Sequence, residues 1–509
     1  MTEITLGSEG MTLEDLVVIA RKEARVRLAE QAVKMILAAR KLVDKWVKEG
    51  KVVYGVTTGF GALSDVAITK DETRQLQQNL LMSHAAGVGP VLDAETVRAV
   101  MALRAKDLAR GNSGIRVQTV ERLIDLLNRG VYPVVPEKGS VGASGDLAPL
   151  AHLGLVMIGL GEAFYKGEKL KGAEALKRCG LKPLELQAGE GVALVNGTQV
   201  MTAIGGLATY DALCLSRTAD VAAAMSLEVL MGSRTEFNQR IHKARPHPGQ
   251  AAAADNMERL TRNSEIISSH KDCSRVQDAY TLRCSPQVHG ASRDAMGYVR
   301  SVIETEMNSS TSNPLIFPET QDFLLGGNFH GQPVALALDF LCMAVSEMAS
   351  ISERRVERLV NPFLSGLPAF LVNRGGLNSG FMIAQYTAAS LVSENKILSH
   401  PACVDSIPTS ANKEDHVSMG TISARKAREV VKNSENVLAI ELLCAAQALD
   451  LFTNMKPGEG TLAAYRVIRD VVPHLEKDRV LSPDIEKVVG LIKEGVLLEE
   501  VENKVGHLN

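Results

Sequence analysis

Residues 332–360 read QPVALALDFLCMAVSEMASISERRVERLV. Apolar side chains fall at Val334, Leu338, Leu341, Val345 and Met348, a 4-3-4-3 rhythm that gathers them on one helical face. At ~1.5 Å per residue such a helix runs to roughly 40 Å. Residues 380–398 and 414–452 carry similar long patterns, and NMKPGEGT at 454–461 interrupts them before shorter helices follow. Helices this long do not each find cover in a small domain. They predict a bundle whose surplus apolar faces point to subunit association, with a large monomeric helical protein as the plain alternative. No solenoid repeat and no βαβ alternation is visible. The expected fold class is mainly α: a loop-rich N-terminal head over residues 1–200, where short helical patterns mix with many glycines, and a long-helix bundle with C-terminal helices over residues 201–509.

At 509 residues the chain exceeds one ordinary core. Hydrophobic residues make up 45% and charged residues 23%, the profile of a globular protein in water. A net charge of −3, with both signs mixed along the chain, leaves no basic footprint for nucleic acid, and a single tryptophan, Trp46, offers little for base stacking. Seven cysteines (Cys179, Cys214, Cys273, Cys284, Cys342, Cys403 and Cys444) form no CxxC pair, which predicts buried thiols in a reducing compartment rather than disulfides or a zinc site. The N-terminus MTEITLGSEG lacks signal-peptide architecture, and Asp339 and Glu347 interrupt even the most apolar run, short of the about 18 residues of a membrane span. A cytoplasmic protein with no membrane partner is expected. The eleven histidines are scattered and suggest no metal; His416, beside Glu414 and Asp415, reads as a helix-start residue.

Residues 139–150, GSVGASGDLAPL, pose the chemical question. A phosphate loop of the Walker type needs a Lys followed by Ser or Thr, and neither is here. A nucleophile elbow needs G-x-S-x-G, and Gly142-Ala143-Ser144-Gly145 is one residue short. The plain reading is a glycine turn entering a helix, with Asp146 near its N-terminus and Pro149 in its first turn. A further reading is chemical. A glycine after serine leaves an unhindered backbone nitrogen that can close onto the carbonyl two residues earlier. Closing Ala143 onto Gly145, with loss of the Ser144 hydroxyl, would leave a methylidene, an electrophile made from the chain itself.

That string does not stand alone. With YGVTTGFG (54–61), NGTQ (196–199), VQDAYTLRCSPQ (276–287), GGNFHG (326–331) and EDHVSMG (414–420), it resembles the aromatic amino acid ammonia-lyases over about residues 50 to 450. The resemblance implies the mostly α ammonia-lyase/fumarase-like fold, a homotetramer with active sites shared between subunits, and an Ala143-Ser144-Gly145 tripeptide matured into 4-methylideneimidazol-5-one without external cofactor. The implied reaction removes an α-amino group and a β-hydrogen. An electrophile eases the first departure and a base must reach the β-carbon. By resemblance Tyr54 is that base, or a proton shuttle, and its glycine-rich loop a lid. Arg283 clamps the substrate carboxylate through two parallel hydrogen bonds, in a motif with Gln277 and Tyr280. Tyr280 and Asn196 correspond to polar groups beside the methylidene ring, and Phe329 to a ring packed against it. The amine is the preferred attacking group of the substrate.

Two positions bear on substrate. His84 is followed by Ala85 where relatives that take phenylalanine or tyrosine tend to carry leucine, and Glu414 stands where those relatives usually have glutamine. A carboxylate accepts from an imidazole N–H while a histidine meets the other ring nitrogen, so the pair suits L-histidine and predicts trans-urocanate and ammonia as products of histidine degradation. Glu414 reads equally as an acidic residue in the first turn of a long helix. Two departures from the family pattern are Ser312, in Thr311-Ser312-Asn313-Pro314-Leu315 where an aspartate is common, and Lys413, which replaces a frequent glutamine. The competing readings are a tyrosine ammonia-lyase or aromatic aminomutase on the same scaffold, and a catalytically silent helical assembly protein.

Overall fold

In the computed structural model, which describes every residue except 1, 8, 9, 67, 70, 71 and 272–275, Gln332–Val360 is one continuous helix. Val334, Leu338, Leu341, Val345 and Met348 are all fully buried, so the predicted stripe is the face that packs. Among the described residues it is the one helix long and apolar enough to cross a membrane, and 67% of its most apolar stretch is buried inside the protein. Long helices also span Gln199–Val229, Ser285–Met307 and Gly420–Leu449, with a shorter one at Met382–Leu398. The described residues form twenty-one α-helices and four small sheets of two or three strands, so the fold is mainly α as expected.

Two local readings are corrected. The run at 414–452 begins its helix only at Gly420, because Met419 sits at φ +55° and Ser418 Oγ accepts the Gly420 N–H as a cap would. Glu414 is therefore not in a helical first turn; it pairs with Thr409 across an isolated antiparallel bridge, and His416 lies in a bend rather than at a helix start. The absence of βαβ alternation has one small exception. Glu3–Leu6 and Arg25–Leu28 pair in parallel, with the helix Leu13–Arg21 between them. That helix opens on a capping box in which Thr12 and Asp15 satisfy each other's backbone N–H.

The described residues fall into two compact units, each drawing on separated stretches of chain. The first takes residues 1–210, 300–339 and 401–425; the second takes 211–299, 340–400 and 426–509. In the first unit the lone tryptophan, Trp46, packs with Leu42, Val43, Val53 and Ile316, and Phe323 meets it edge-on with ring centroids 5.3 Å apart. A smaller cluster joins Ala143 to Val417 and Met419, which brings the 139–146 turn against the 401–425 segment. In the second unit charged groups are buried as matched sets, Arg355 with Glu441 and Arg293 with Asp220. The six described cysteines are free thiols; Cys273 lies outside the described residues.

Gly205 lies so near Leu338 that a Cβ there would sit 2.6 Å from its side chain. Truncating this fully buried leucine leaves a void at the helix contact. Leu338→Ala is expected to lower unfolding stability by about 2–5 kcal/mol, read as a lower urea midpoint at unchanged slope.

Candidate active site

The turn at 139–146 is built on glycines that nothing else can replace. Gly142 has φ +70°, and a Cβ there would lie 2.2 Å from Ser418 Oγ; Gly145 has φ +76°, and a Cβ there would lie 2.1 Å from the Gly197 carbonyl oxygen. Gly145 and Gly197 form a parallel bridge, and the Asp146 N–H donates to Gly197 O at 2.7 Å. Asp146 precedes the helix Leu147–Met157 but does not cap it with its side chain. One carboxylate oxygen accepts from the Val200 and Met201 amides at the start of another helix, at 2.9 and 2.8 Å, and the other from the Ser140 and Thr421 hydroxyls. Burial pushes its carboxyl above the usual range, against these four donors.

Around Ser144 the structure gathers six other predicted residues. Ser144 Oγ donates to Glu414 Oε1 at 2.8 Å, and Thr409 holds the other Glu414 oxygen at 2.9 Å. A cavity of about 230 Å³ is lined by Tyr54, His84, Ser144, Asn196 and Glu414, among others. A second, about 650 Å³, shares Tyr54, Ser144 and Glu414 and adds Ala143 and Phe329. The Tyr54 hydroxyl accepts the Gly61 N–H at 3.2 Å, so the glycine-rich loop folds back on its own tyrosine. His84 ends the helix Thr73–His84 with Nδ1 3.1 Å from Ser83 Oγ. Burial pushes its imidazole below the usual value, against a Leu80 backbone hydrogen bond and the Glu414 charge, which raise it.

Asn196 is 4% exposed, and its Oδ1 has no hydrogen-bond partner among the described residues. A buried amide oxygen left open beside a cavity is a group prepared for something else to bind. Its backbone is locked from beneath. Arg104 donates to the Asn196 carbonyl at 2.9 Å, to Asp107 at 2.9 Å and to Gln199 at 2.7 Å. A Cβ on Gly197 would fall within 2.6 Å of Gln199, Arg104 and Thr311 alike. Thr311 also bonds Asp107, whereas the Ser312 hydroxyl is buried with no partner among the described residues, so no hydrogen bond here depends on that departure.

Sequence reasoning missed Arg104 and Asp107, and also His330, which lines the larger cavity with His416. The two imidazoles stack with centroids 5.8 Å apart and planes within 3°. His330 Nδ1 accepts the Gln332 N–H at 3.3 Å, so Nε2, 3.2 Å from the His416 carbonyl, carries the proton. The GNFH string held the only sequence signal. Gln277, Tyr280 and Arg283 line neither cavity around Ser144. They lie in the second unit, on and just before the short helix Tyr280–Arg283, where the Arg283 guanidinium stacks 4.6 Å over the 70% exposed Tyr280 ring. Gln277 and Arg283 line a cavity of about 700 Å³ there.

The family model for aromatic amino acid lyase matches residues 11–470. A histidine ammonia-lyase of Alkaliphilus oremlandii is 56% identical over 99% of this chain and 99% of its own, and one of Gloeobacter violaceus is 55% identical over the same shares. Among solved structures, histidine ammonia-lyase from Trypanosoma cruzi is similar with TM-score 0.92 and 43% identity, over 99% of this chain and 95% of that one. Tyrosine aminomutase from Streptomyces globisporus is similar with TM-score 0.95 and 37% identity, over the whole of both chains.

Because burial dominates at His84, its ring stays neutral at neutral pH and gains a proton only below the ordinary midpoint of about 6.5. In protein with 13C-labelled histidines, the imidazole signal that disappears in His84→Phe should titrate below that value; a midpoint above it would contradict the burial of the ring.

Proposed function

The chain belongs to the aromatic amino acid lyase family, and we propose that this carbon–nitrogen lyase deaminates L-histidine to trans-urocanate and ammonia. The observation that carries the substrate is the pairing of His84 and Glu414 on one small cavity with Ser144, Tyr54 and Asn196. A carboxylate and a neutral imidazole on the two sides of a ring recognise a ring with one N–H and one bare nitrogen. A phenyl ring would offer Glu414 no N–H to accept.

The Ala143-Ser144-Gly145 turn fits an internal 4-methylideneimidazol-5-one. The Gly145 nitrogen has no Cβ beside it, the backbone is already bent at φ +76°, and the open Asn196 Oδ1 borders the same cavity. Forming the ring joins the Gly145 nitrogen to the Ala143 carbonyl carbon and releases two waters, one with the Ala143 oxygen and one with the Ser144 hydroxyl. The group supplies an electrophile that draws electrons from the substrate and eases the departure of ammonia. The chain's own residues do the rest. Tyr54, its oxygen steadied by the Gly61 N–H, takes the β-proton. His84 and Glu414 orient the imidazole, and Phe329 covers the cavity on the apolar side.

Gln277, Tyr280 and Arg283 are proposed to complete the site from a neighbouring subunit of a cytoplasmic homotetramer, Arg283 taking the carboxylate. What supports this is that none of the three lines the Ser144 cavities, and that large apolar residues such as Phe363 (95%) and Ile397 (72%) stand exposed.

Purified protein incubated with L-histidine, L-tyrosine and L-phenylalanine should give near-ultraviolet product absorbance with histidine alone; faster growth with tyrosine would overturn the substrate. Glu414→Gln is expected to lower kcat/KM for histidine by roughly 10²-fold. Gly145→Ala should abolish turnover, and its intact mass should retain both waters that the parent chain has lost.

A further inference from the structure

The second unit contains a continuous buried chain of charge that no step above uses. His289 Nδ1 lies 2.7 Å from Asp220 Oδ1, and the other Asp220 oxygen accepts from Arg293 at 2.9 Å and Asn256 at 2.8 Å. Burial works against the charge on Asp220, but Arg293, His289 and Asn256 together outweigh it and hold its carboxyl below the usual range. Burial, helped by Arg355 and Arg293, pushes His289 below the usual imidazole value against the pull of Asp220. A neutral His289 donates from Nδ1 to Asp220 and presents Nε2 as an acceptor, and that nitrogen faces Arg355 Nη1 at 3.5 Å. Arg355 in turn meets both oxygens of Glu441, at 2.5 and 2.9 Å, while Ser226 and Ser352 donate to the same carboxylate at 2.7 and 2.6 Å. Asp220, His289, Arg355 and Glu441 are all fully buried.

So many fixed partners leave Arg355 no freedom to swing, and its Nη1 reaches one further acceptor, the Thr281 carbonyl, at 3.4 Å. Ser285 Oγ donates to the same oxygen at 2.9 Å. Thr281 belongs to the four-residue helix Tyr280–Arg283, which has no side-chain cap and is too short to hold itself. Among the described residues, the Thr281 carbonyl is the point at which Arg355 grips it. We propose that Arg355, oriented by Glu441 and His289, is a positioning residue that together with Ser285 fixes the Thr281 carbonyl and so aims Arg283 at the substrate carboxylate.

This rests on the reading of Arg283 as the carboxylate clamp, and the test separates the two. Inhibition constants are measured for imidazolepropionate, which has a carboxylate and no amine, and for histamine, which has an amine and no carboxylate. Arg283→Ala tests the clamp itself and should weaken imidazolepropionate selectively; if it weakens neither or both equally, the clamp reading fails. With the clamp in place, Arg355→Lys, which loses the fork, and Ser285→Ala should each weaken imidazolepropionate by about 3–10-fold, the scale of one charge-assisted or neutral hydrogen bond, and leave histamine within twofold. A purely structural loss lowers the active fraction without changing either constant. If Arg355→Lys does not fold, Ser285→Ala decides alone. Unchanged selectivity in the folded variants, beside a selective Arg283→Ala, overturns the proposal.

Discussion

Gly145 and Gly197 touch through bare backbone: a Cβ on Gly145 would strike Gly197, and a Cβ on Gly197 would strike Gln199, Arg104 and Thr311. Everything around the candidate site is arranged to keep that approach. Asp146, the next residue, spends its whole carboxylate on it, tying two amides of the helix Gln199–Val229 to the hydroxyls of Ser140 and Thr421. Arg104 and Asp107 hold the other side, fixing the Asn196 carbonyl while Gln199 and Thr311 close on Gly197. The Asp146 carboxylate with its four donors, and the Arg104 guanidinium bonded to Asp107, Gln199 and the Asn196 and Ala193 carbonyls, are costly to break singly. The turn is thus over-determined. Its bent geometry is permitted by the glycines at 142 and 145 and enforced from outside by these partners.

Much of this was written in the sequence where periodicity or a short motif carries it. The stripe Val334, Leu338, Leu341, Val345 and Met348 located a helix and its buried face, because burial on one side leaves a 3.6-residue period. Tyr54, Ser144, Asn196 and Glu414, each named by a short motif, line one cavity with His84, which its own SHA string names. What failed were boundaries and hidden charges. The helical pattern of the sequence runs on through Glu414 and His416, whereas the helix begins at Gly420, since the left-handed Met419 leaves no mark that propensity can read. Arg104 and Asp107 sit on a helix, Ala94–Leu108, that is buried on nearly every side. Charged residues scattered around a helix ordinarily mean a solvated face, so their role was invisible until their partners, remote in sequence, were in view.

Two clusters of buried charge are built differently. Near Asn196 the carboxyls of Asp107 and Asp146, together with Glu306, are pushed upward by burial, with Arg104 and Arg110 pulling Asp107 the other way. In the second unit Asp220 and Glu441 face Arg293 and Arg355 in equal number, with a neutral histidine between. A balanced set gives fixed directions at low electrostatic cost. A carboxyl-rich set instead surrounds a turn where hydroxyl and amide donors, not cations, set the geometry.

The first unit is assembled from three lengths of chain far apart in the sequence, and Thr421, Ser418 and Glu414 all come from the last of them. On a ribosome adding about 5–20 residues per second, roughly 15–60 s separate the emergence of Ser144 from that of its final neighbours. Throughout that interval the turn lacks the contacts that Glu414, Ser418 and Thr421 supply. A nascent chain stalled before residue 401 would therefore carry the complete string and its Gly197 contact, but not the Glu414, Ser418 and Thr421 side chains that close on the turn from the other end of the sequence.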